Sequence, residues 1–412
     1  MELLFLTPQM PYPPRQGAAI RNWHLIAGLA REHAVTLCTF GPAEAVVLRP
    51  LATACRRVVV VPAPARTARD RVHTLVATRL PDMARRLWSP AFAAAMRGLV
   101  RDQTFDRVQV EGIEMVPYMA ALRAAGTAPP WLFDEHNAEY LLQRRAFEAD
   151  LRRPRAWPAA GYSLVQWRRL RRYERAACRA AGAVVAVSEA DRAALAALAP
   201  DASITVVPNG VDLAEWSVAA AGKDPAAEAL ATRGPLVVFD GTMDFRPNVD
   251  AVAWFVDAIW PRIRAAAPDA QFAVVGRNPA PRVAALAAVP GVTVTGPVAD
   301  PRPWVAAAAV YVVPMRMGGG VRLKVLQALA LERALVSTPL GCEGVTVQDG
   351  RDVVLAAEPG AFAAAVTALL GDPARRAVLG RAARAAVTPY AWEAIVPRLA
   401  TALAAMPAGG PR

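Results

Sequence analysis

Three consecutive glycines and two basic residues form the part of the chain best suited to bind an anion. An apolar run at 310–313 leads to glycines at 318–320, and the apolar periodicity at 321–331 predicts an amphipathic helix. Glycines let a backbone approach a ligand closely, and the first turn of a helix offers unpaired N–H groups to an anion. Arg322 and Lys324 fall in that turn, where the helix dipole disfavours cations. A bound diphosphate would explain them, and an ordinary glycine-rich turn with solvated charges is the alternative.

The lysine of this segment is unusual for the chain. Lys223 and Lys324 are the two lysines among 47 basic residues, and the others are arginines. A bias toward arginine and alanine is typical of a GC-rich genome and says nothing about chemistry. A lysine at this position therefore indicates a specific role.

The composition is that of a globular protein with two or three domains. The chain has 412 residues, of which 55% are apolar, enough to build sizeable cores. Its four cysteines show no paired spacing, which argues against a disulfide framework or a zinc site and suits a reducing compartment. The apolar run at 2–7 is interpreted as a strand, not a signal peptide, and no uncharged apolar run approaches the roughly 20 residues of a membrane span. We expect a cytoplasmic protein, or one peripheral to the inner face of the membrane.

Positive charge is concentrated in the first half of the chain. Residues 1–201 hold 28 arginines and 18 acidic residues, whereas 202–412 hold 19 basic and 17 acidic residues. Eleven arginines lie at 144–179, interleaved with aromatic residues and leucines. Such a basic amphipathic helix can lie on an anionic membrane, and a helix packed on a sheet with solvated arginines is the alternative. Because no recognition motif accompanies the charge, nucleic acid is not an expected partner.

Strands and helices alternate along the chain, which predicts an α/β protein with two doubly wound parallel sheets. A Pro-Asn-Gly turn at 208–210 marks the crossing from the first set of strands to the second. We predict a first domain at 1–208, a second at 209–388, and a C-terminal helical segment at 389–412 that crosses back to the first.

Polar side chains stand where ligands bind in such sheets, beyond the carboxyl ends of the strands. In the first domain Glu111 and Glu114 follow one strand, and His136 and Asn137 follow another. A lone histidine is usually structural, but the Asp-Glu-His-Asn cluster directly after an apolar strand favours a functional role for His136. In the second domain the strand-end loops lie at 241–248, 276–278, 296–298 and 314–320.

Seven segments between 133 and 345 carry a resemblance to a known family. They are FDEHNAEY, VPNGVD, FDGTMDFRPNVDAVAWF, VVGRNP, VTGPVADPRPWV, GGGVRLKVLQALA and STPLGCEGV. In this order they resemble the GT-B glycosyltransferases of family 4 (group 1), and more narrowly the exopolysaccharide sugar transferases associated with exosortase (PEP-CTERM) systems. The resemblance implies two Rossmann-like domains that face each other across a cleft, with the nucleotide sugar on the second.

The resemblance also implies an activity. It is the retaining transfer of a sugar from a nucleotide-diphosphate sugar to a glycan, a lipid-linked or another small acceptor in cell-surface polysaccharide synthesis. No metal and no cofactor besides the donor substrate are implied. The diphosphate itself can accept the proton of the acceptor, so the protein has to hold the donor and stabilise charge on the β-phosphate.

The family motifs place roles on individual residues. His136, Lys324 and Arg322 are the implied catalytic residues, with His136 near the transferred sugar and both cations at the β-phosphate. Glu111, Glu114 and Asn137, which follow strands of the first domain, are the predicted acceptor-side residues. The implied donor-binding residues are Gly17, Gly241, Arg246, Gly276, Arg277, Gly318, Gly319, Gly320, Val321, Gln327 and Glu343.

Two regions depart from the family pattern. The family commonly has two glutamates eight residues apart where this chain has Gly319 and Gln327, although a glycine at the first position is typical of a subgroup. Gln327 can bond a ribose hydroxyl, but without the charge assistance that roughly doubles the strength of such a bond. In the 241–248 loop many relatives carry an arginine and a lysine for the diphosphate. Here Arg246 serves, or the cations after the glycines substitute.

Two other functions remain open. The main alternative is a catalytically silent homologue that binds a nucleotide or a partner transferase, and Gln327 motivates it. A sugar-nucleotide epimerase or a phosphorylase of the same fold is another. An NAD-dependent enzyme is not expected, because neither first strand is followed by G-x-G-x-x-G and a downstream acidic residue.

Overall fold

The structure, a computed structural model, describes residues 1–15, 17–42, 44–152 and 154–407. It divides into two compact units. The first unit comprises Met1–Asn209 and the segment that begins at Trp392, and the second comprises Gly210–Ala391. The sequence places these boundaries after 208 and 388. Arg153 of the predicted basic segment and residues 408–412 of the predicted C-terminal segment lie outside the described residues.

A parallel sheet forms the centre of the first unit. Its strands are β1 (Glu2–Thr7), β2 (Ala34–Phe40), β3 (Arg57–Val61), β4 (Arg107–Glu111), β5 (Trp131–Glu135), β6 (Ala183–Ala186) and β7 (Ile204–Val206). The strand order is β3-β2-β1-β4-β5-β6-β7. The central strands are buried on both faces, as expected where helices cover a parallel sheet. Glu111 is paired with Asp134 in the register of β4 and β5, so the carboxyl ends of these strands lie side by side.

Three helices of this unit begin at side chains that cap their first N–H groups. The Ser89 and Ser188 side chains each accept from the backbone N–H three residues on, and Thr67 forms a capping box with Asp70. The helices are α1 (Gly17–Leu29), α2 (Ala45–Ala54), α3 (Ala68–Ala77), α4 (Asp82–Arg85), α5 (Pro90–Asp102), α6 (Val116–Ala124), α7 (Glu139–Leu151), α8 (Trp157–Ala180) and α9 (Glu189–Leu198).

The second unit repeats the architecture. Its strands are β8 (Leu236–Asp240), β9 (Gln271–Val275), β10 (Val292–Gly296), β11 (Val310–Val313), β12 (Leu335–Ser337) and β13 (Val354–Leu355). They form a parallel sheet in the order β10-β9-β8-β11-β12-β13. The helices are α10 (Pro225–Arg233), α11 (Arg246–Trp254), α12 (Trp260–Ala266), α13 (Pro281–Ala284), α14 (Arg302–Ala307), α15 (Leu323–Ala330), α16 (Pro359–Gly371) and α17 (Pro373–Val387).

One predicted helix of the second unit is divided. The pattern predicts a continuous helix at 249–266, whereas a π-helical turn at Phe255–Ile259 separates α11 from α12. Pro261 stands at the start of α12 and has no N–H with which to continue the α-helical hydrogen bonds. The wider turn accommodates this missing donor. The predicted helix is present, with the π-helical turn inside it.

The helix after the glycines is shorter than predicted. The pattern predicts a helix at 321–331, but α15 begins at Leu323, and Arg322 is its N-cap residue with an extended backbone. The Arg322 guanidinium turns back and donates to the Gly319 carbonyl, so the chain up to Arg322 belongs to the loop. Lys324 alone of the two cations lies in the first turn of the helix.

The last described helix, α18 (Trp392–Ala405), belongs to the first unit and packs along α1. Trp392 stacks on His24 with ring centroids 4.9 Å apart, and a Cβ atom on Gly28 would lie 2.6 Å from a methyl group of Val396. The guanidinium of Arg107 donates to two carbonyls near the end of α18, over 2.8 and 3.2 Å. Within the described ranges, none of the helices has the length and apolar character needed to cross a lipid bilayer.

Candidate functional site

Lys324 is fixed at the carboxyl end of the second sheet by groups from β8 and α11. Its Nζ donates to the backbone carbonyl of Asp240 and to Oδ1 of Asn248, the latter over 3.3 Å. The ammonium also lies 3.9 Å from the centroid of the Phe239 ring, which is a cation–π contact. Burial lowers the pKa of Lys324 to about 8, although the charge of Asp240 opposes this effect. The side chain from α15 thus brings a positive charge to the loop after β8.

Two predicted donor-binding glycines allow the loops to meet at this charge. A Cβ atom on Gly241 would lie 2.9 Å from Lys324 Nζ and 2.7 Å from Asn248 Nδ2. A Cβ atom on Gly276, which has a φ of +147°, would overlap the carbonyl oxygen of Gly241. Contact with the backbone therefore requires glycine at 276, whereas a side chain at 241 would displace the ends of Lys324 and Asn248, whatever ligand the loops bind.

Asp240, which accepts from Lys324 through its backbone, is held by a buried tyrosine. The Tyr311 hydroxyl on β11 has no exposed surface and donates to Asp240 Oδ1. Burial, with the neighbouring carboxylate, raises the pKa of Tyr311, so the hydroxyl keeps its proton. This hydrogen bond fixes the end of β8 on which Lys324 rests.

The loop of Gly318, Gly319 and Gly320 brings Arg322 close to Lys324. A Cβ atom on Gly318 would lie 2.8 Å from Arg322 Nη2. The charge of Arg322 also contributes to the lowered pKa of Lys324, which shows that the two cations interact. Two cations concentrated at one edge of a sheet form the electrostatic environment that a diphosphate would neutralise.

The other predicted donor-binding side chains are less constrained. Val321 packs against the core of the second unit. The half-buried Gln327 amide and the Arg277 guanidinium make no hydrogen bond with any residue that the structure describes. Arg246 is exposed at the start of α11, and Glu343 is half-buried after the 3₁₀ turn that follows β12. Their roles in binding a donor stay predictions.

His136 and Glu111 form a buried pair at the carboxyl ends of β4 and β5. His136 Nε2 lies 2.8 Å from Glu111 Oε2, and the two side chains are 19% and 0% exposed. Burial alone would lower the pKa of His136, but the hydrogen bond with Glu111 and the charge of Asp134 outweigh it and raise the pKa. The imidazole is therefore stabilised as a cation, which can donate a hydrogen bond from Nδ1.

Arg21 joins this pair to the rest of the first unit. Its guanidinium donates twice to Asp134 Oδ2, over 2.8 and 3.2 Å, and once to the Pro208 carbonyl over 3.0 Å. Burial raises the pKa of Asp134 to about 6, even though Arg21 favours the charged form. The Gln109 amide bridges Asp134 and Glu111 over 3.2 and 2.9 Å. A single network thus connects α1, β4 and β5.

Three residues of the same network have the spacing of a metal site. Ligand atoms of Glu111, Asp134 and His136 lie within 4.8 Å of one another, a spacing that could hold an ion. Asp134 Oδ2, however, already accepts from Arg21 and Gln109, so a metal would have to compete with a buried guanidinium. The donor set fits a buried ion-pair network better than a cation site. The expectation of no metal stays a prediction.

The predicted acceptor-side residues occupy different environments. The Glu111 carboxylate has no exposed surface and would have to leave His136 to reach an acceptor, so here it supports the imidazole. Glu114 is paired with Arg86. The half-buried Asn137 amide donates to Glu139 over 3.3 Å. Gly17, a predicted donor contact, is exposed at the start of α1.

A second group of carboxyl groups is buried near His136. Burial raises the pKa of Glu135 and Glu174, and neighbouring carboxylates add to the effect. Burial and the charge of Glu114 raise the pKa of Glu139 to about 7. Glu135 Oε2 and Glu174 Oε1 have no hydrogen-bond partner among the residues that the structure describes. These groups favour their protonated forms in the folded protein.

We expect the free energy of unfolding to fall as the pH rises from about 5 to about 8. The raised pKa values of Asp134 (about 6) and Glu139 (about 7) mean that the folded protein holds protons that the unfolded chain has released. Their contribution is complete below the unfolded pKa values and is lost as the pH passes the folded ones. Urea unfolding at pH 5.5, 7 and 8 measures this, and the expected loss is on the order of a few kcal/mol.

The variant Glu135→Gln removes one buried ionisable group, so its stability profile should be flatter than that of the wild type. Glu189→Gln changes an exposed glutamate paired with Arg192 and is the matched control. Stability that stays constant or increases toward pH 8 in the wild type would contradict this account.

Sequence analysis missed several residues of the network around His136. Arg21, Asp134 and Gln109 lie up to 113 positions apart and meet through strand order. Asp134 belongs to the Asp-Glu-His-Asn cluster, and this polar cluster after a strand was the feature of the sequence that could have indicated its role. Arg21 carried no signal, because it is one of many arginines.

Two family models match the sequence. Residues 15–215 match the family described as Glycosyltransferase Family 4, and residues 234–372 match glycosyl transferases group 1. The two matches together span most of the chain. The first lies almost entirely in the first unit, and the second lies in the second unit. No curated protein sequence matches the chain.

Solved structures with a similar fold include several glycosyltransferases. A sucrose-phosphate synthase from Thermosynechococcus elongatus is 19% identical with a TM-score of 0.71, over 97% of this chain and 98% of that one. HepE from Anabaena in complex with UDP is 14% identical with a TM-score of 0.66, over 98% and 100%. WaaG, a glycosyltransferase involved in lipopolysaccharide biosynthesis, is 14% identical with a TM-score of 0.64, over 98% and 100%.

Proposed function

Because the chain belongs to the family 4 (group 1) glycosyltransferases and has the GT-B fold, we propose that it transfers a sugar from a nucleotide-diphosphate sugar with retention of anomeric configuration. The acceptor is a glycan, a lipid-linked or another small acceptor of cell-surface polysaccharide synthesis. The observation that carries the proposal is the ammonium of Lys324, fixed beside the glycine loops at the carboxyl end of the second sheet.

The donor diphosphate is proposed to bind at this edge of the second unit. Lys324 and Arg322 supply positive charge, and the first turn of α15 supplies backbone N–H groups. The unpartnered Gln327 amide is available for a ribose hydroxyl. A structure of HepE, which shares the fold, was solved with UDP-glucose, in line with a nucleotide-sugar donor for this chain.

The chemistry requires no carboxylate nucleophile or base. The bond between the anomeric carbon and the diphosphate oxygen breaks, and a bond to the acceptor oxygen forms on the same face of the sugar. The departing diphosphate takes the acceptor's proton, while Lys324 and Arg322 stabilise the negative charge that develops on it. His136 is proposed to donate a hydrogen bond to the transferred sugar.

Product analysis tests this proposal. The protein is incubated with UDP-, GDP-, ADP- and dTDP-sugars and with lipid-linked glycans, and nucleotide release and product anomer are followed by NMR. We expect release to require an acceptor and the donor configuration to be kept. An inverted product would overturn retention, and an isomerised sugar or acceptor-independent conversion would overturn transfer.

A catalytically silent homologue that binds a nucleotide or a partner transferase is the second candidate. Gln327 favours it, because the neutral amide gives a ribose hydroxyl a weaker partner than a carboxylate. The variant Gln327→Glu separates the candidates. Activity that appears only in this variant would support the silent homologue, whereas activity already present in the wild type excludes it.

We also propose that the first unit contacts an anionic membrane from the inner face. The exposed side of α8 carries Trp157, which is 60% exposed, followed by exposed arginines in its second half. Arg169 donates to three carbonyls at and beyond the end of α3, which places the C-terminal end of that helix next to α8. Val72 and Val76 of α3 are 61% and 78% exposed. Apolar side chains beside arginines suit the boundary between lipid headgroups and acyl chains.

Sedimentation with vesicles tests the membrane contact. We expect the protein to bind vesicles that contain phosphatidylglycerol at low salt and to bind pure phosphatidylcholine far less. Trp157→Ser should weaken binding several-fold, and Val378→Ser, at an exposed position on α17 of the second unit, is the control. Equal binding to both kinds of vesicle, or none at low salt, would contradict the proposal.

A further inference from the structure

We propose that Asn248 is a positioning residue for the transfer reaction, because its side-chain amide holds the Lys324 ammonium and the loop after β8 in one arrangement. This inference rests on the proposed function. It concerns a residue that does not itself touch the donor and that sequence analysis did not include among the binding residues.

Asn248 uses both ends of its amide. Nδ2 donates to the Thr242 carbonyl over 2.9 Å, and Oδ1 accepts from Lys324 Nζ over 3.3 Å. The side chain is 6% exposed, and it projects from the first turn of α11. One residue therefore connects the start of a helix, the loop after β8 and the cation from α15.

The amide suits this position better than a charged group would. A carboxylate beside Lys324 would neutralise the ammonium and compete with a diphosphate. An aliphatic side chain would leave the Thr242 carbonyl and one N–H of the ammonium without their partners in a partly buried place. An uncharged acceptor orients Lys324 and preserves its full positive charge for a ligand.

Lys324 has the length to move if this contact is lost. Lysine has four rotatable side-chain bonds, and its ammonium has no fixed geometry such as the fork of arginine. The remaining contacts are a backbone carbonyl of Asp240 and the face of Phe239. The Asp240 carbonyl belongs to the peptide bond before Gly241, and neither contact reaches Thr242. Asn248 alone of the groups described around Lys324 therefore couples the cation to Thr242.

The test is a double-mutant cycle on nucleotide binding. UDP, GDP, ADP and dTDP are titrated by calorimetry into wild type, Asn248→Ala, Lys324→Ala and the double variant, and the nucleotide that the wild type binds is used throughout. We expect Asn248→Ala to weaken binding about tenfold, and the double variant to be no weaker than Lys324→Ala. Gln271→Ala, at the opposite end of the sheet, should bind as the wild type does.

The pH profile distinguishes positioning from general structural support. In the wild type, binding should weaken as the pH rises through the pKa of Lys324, about 8. Asn248→Asp should move this limb to higher pH, because a carboxylate stabilises the protonated ammonium. It should also weaken binding at pH 7.

The outcomes separate this inference from the proposed function. If the wild type binds no nucleotide, the proposed function fails and this inference fails with it. If the wild type binds and Lys324→Ala does not, but Asn248→Ala binds as tightly as the wild type, only the positioning role is overturned. Additive losses in the double variant, or an unchanged pH limb in Asn248→Asp, would also overturn it.

Discussion

Lys324→Ala is expected to lower nucleotide-sugar turnover by about 10²- to 10³-fold, the loss typical when one group that stabilises developing charge is removed. The ammonium is held by the Asp240 carbonyl and by Asn248, so its position does not have to be organised when the donor binds. Preorganised charge in a partly buried place is worth more than the same charge in water. Initial rates with the donor and acceptor identified by product analysis measure the loss.

The stability of a second variant, Lys324→Met, should move in the opposite direction to the turnover of Lys324→Ala. Burial lowers the pKa of Lys324, which means that the charged side chain is less favourable in the folded protein than in the unfolded chain. Below pH 8 the volume-conserving Lys324→Met should therefore unfold at the same or a higher temperature than the wild type. This result would show that the site sacrifices stability for a function.

Lys223 provides the matched control. It is the other lysine of the chain, and it forms an exposed pair with Glu228. Lys223→Ala should retain full turnover and stability. Full turnover in Lys324→Ala would exclude the proposed role of this cation, and a strong loss of folding in Lys324→Met would show that the side chain serves the fold.

His136→Ala is expected to reduce turnover by about 10²-fold or more while nucleotide affinity changes little. The imidazolium is balanced by the buried Glu111 carboxylate and is proposed to donate to the transferred sugar. Its loss removes a charged donor that belongs to the first unit, whereas the residues proposed to hold the nucleotide belong to the second. Turnover and the dissociation constant of the nucleotide, measured on the same preparation, separate the two effects.

Glu111→Gln tests the charge that supports the imidazolium. The amide keeps the shape of the side chain but removes the carboxylate, so the pKa of His136 should fall and the fraction of cation at pH 7 with it. We expect the alkaline limb of turnover to move to lower pH. For the preceding variant, His136→Ala, the control is His73→Ala, at an exposed position on α3. An unchanged pH profile in Glu111→Gln would contradict the role given to the pair.

The fold could be predicted from the sequence in most of its parts, because apolar runs and glycine turns alternate clearly. The strand at Arg107–Glu111 and the strand at Trp131–Glu135 lie where the pattern indicates, give or take a residue. The pattern correctly predicted a helix at 249–266 but not the π-helical turn inside it, and it placed the start of α15 two residues too early. Pro261 in the first case and the hydrogen bond from Arg322 to the Gly319 carbonyl in the second decide the local backbone, and the spacing of apolar residues does not reveal either effect.

The candidate site could be predicted only where its residues form local motifs. Lys324 stood out as a rare lysine beside glycines, and His136 stood in a polar cluster. Asn248 and Arg21 act through partners 76 and 113 positions away, and such pairs follow from strand order. Glu111 was predicted to face an acceptor, whereas its carboxylate is buried against His136. A sequence does not reveal which carboxylate a neighbouring strand will bury.

Thermal unfolding with a panel of nucleotides tests the central claim most directly. Wild type and Lys324→Ala are heated with UDP, GDP, ADP, dTDP and their sugars, each near 100 times its dissociation constant where one is measurable. A ligand at that concentration adds about 2.7 kcal/mol to the stability of the form that it binds, which raises the unfolding temperature by several degrees. We predict that one class of nucleotide stabilises the wild type and does not stabilise Lys324→Ala. No shift with any nucleotide, or equal shifts in both proteins, would contradict a donor site built on Lys324.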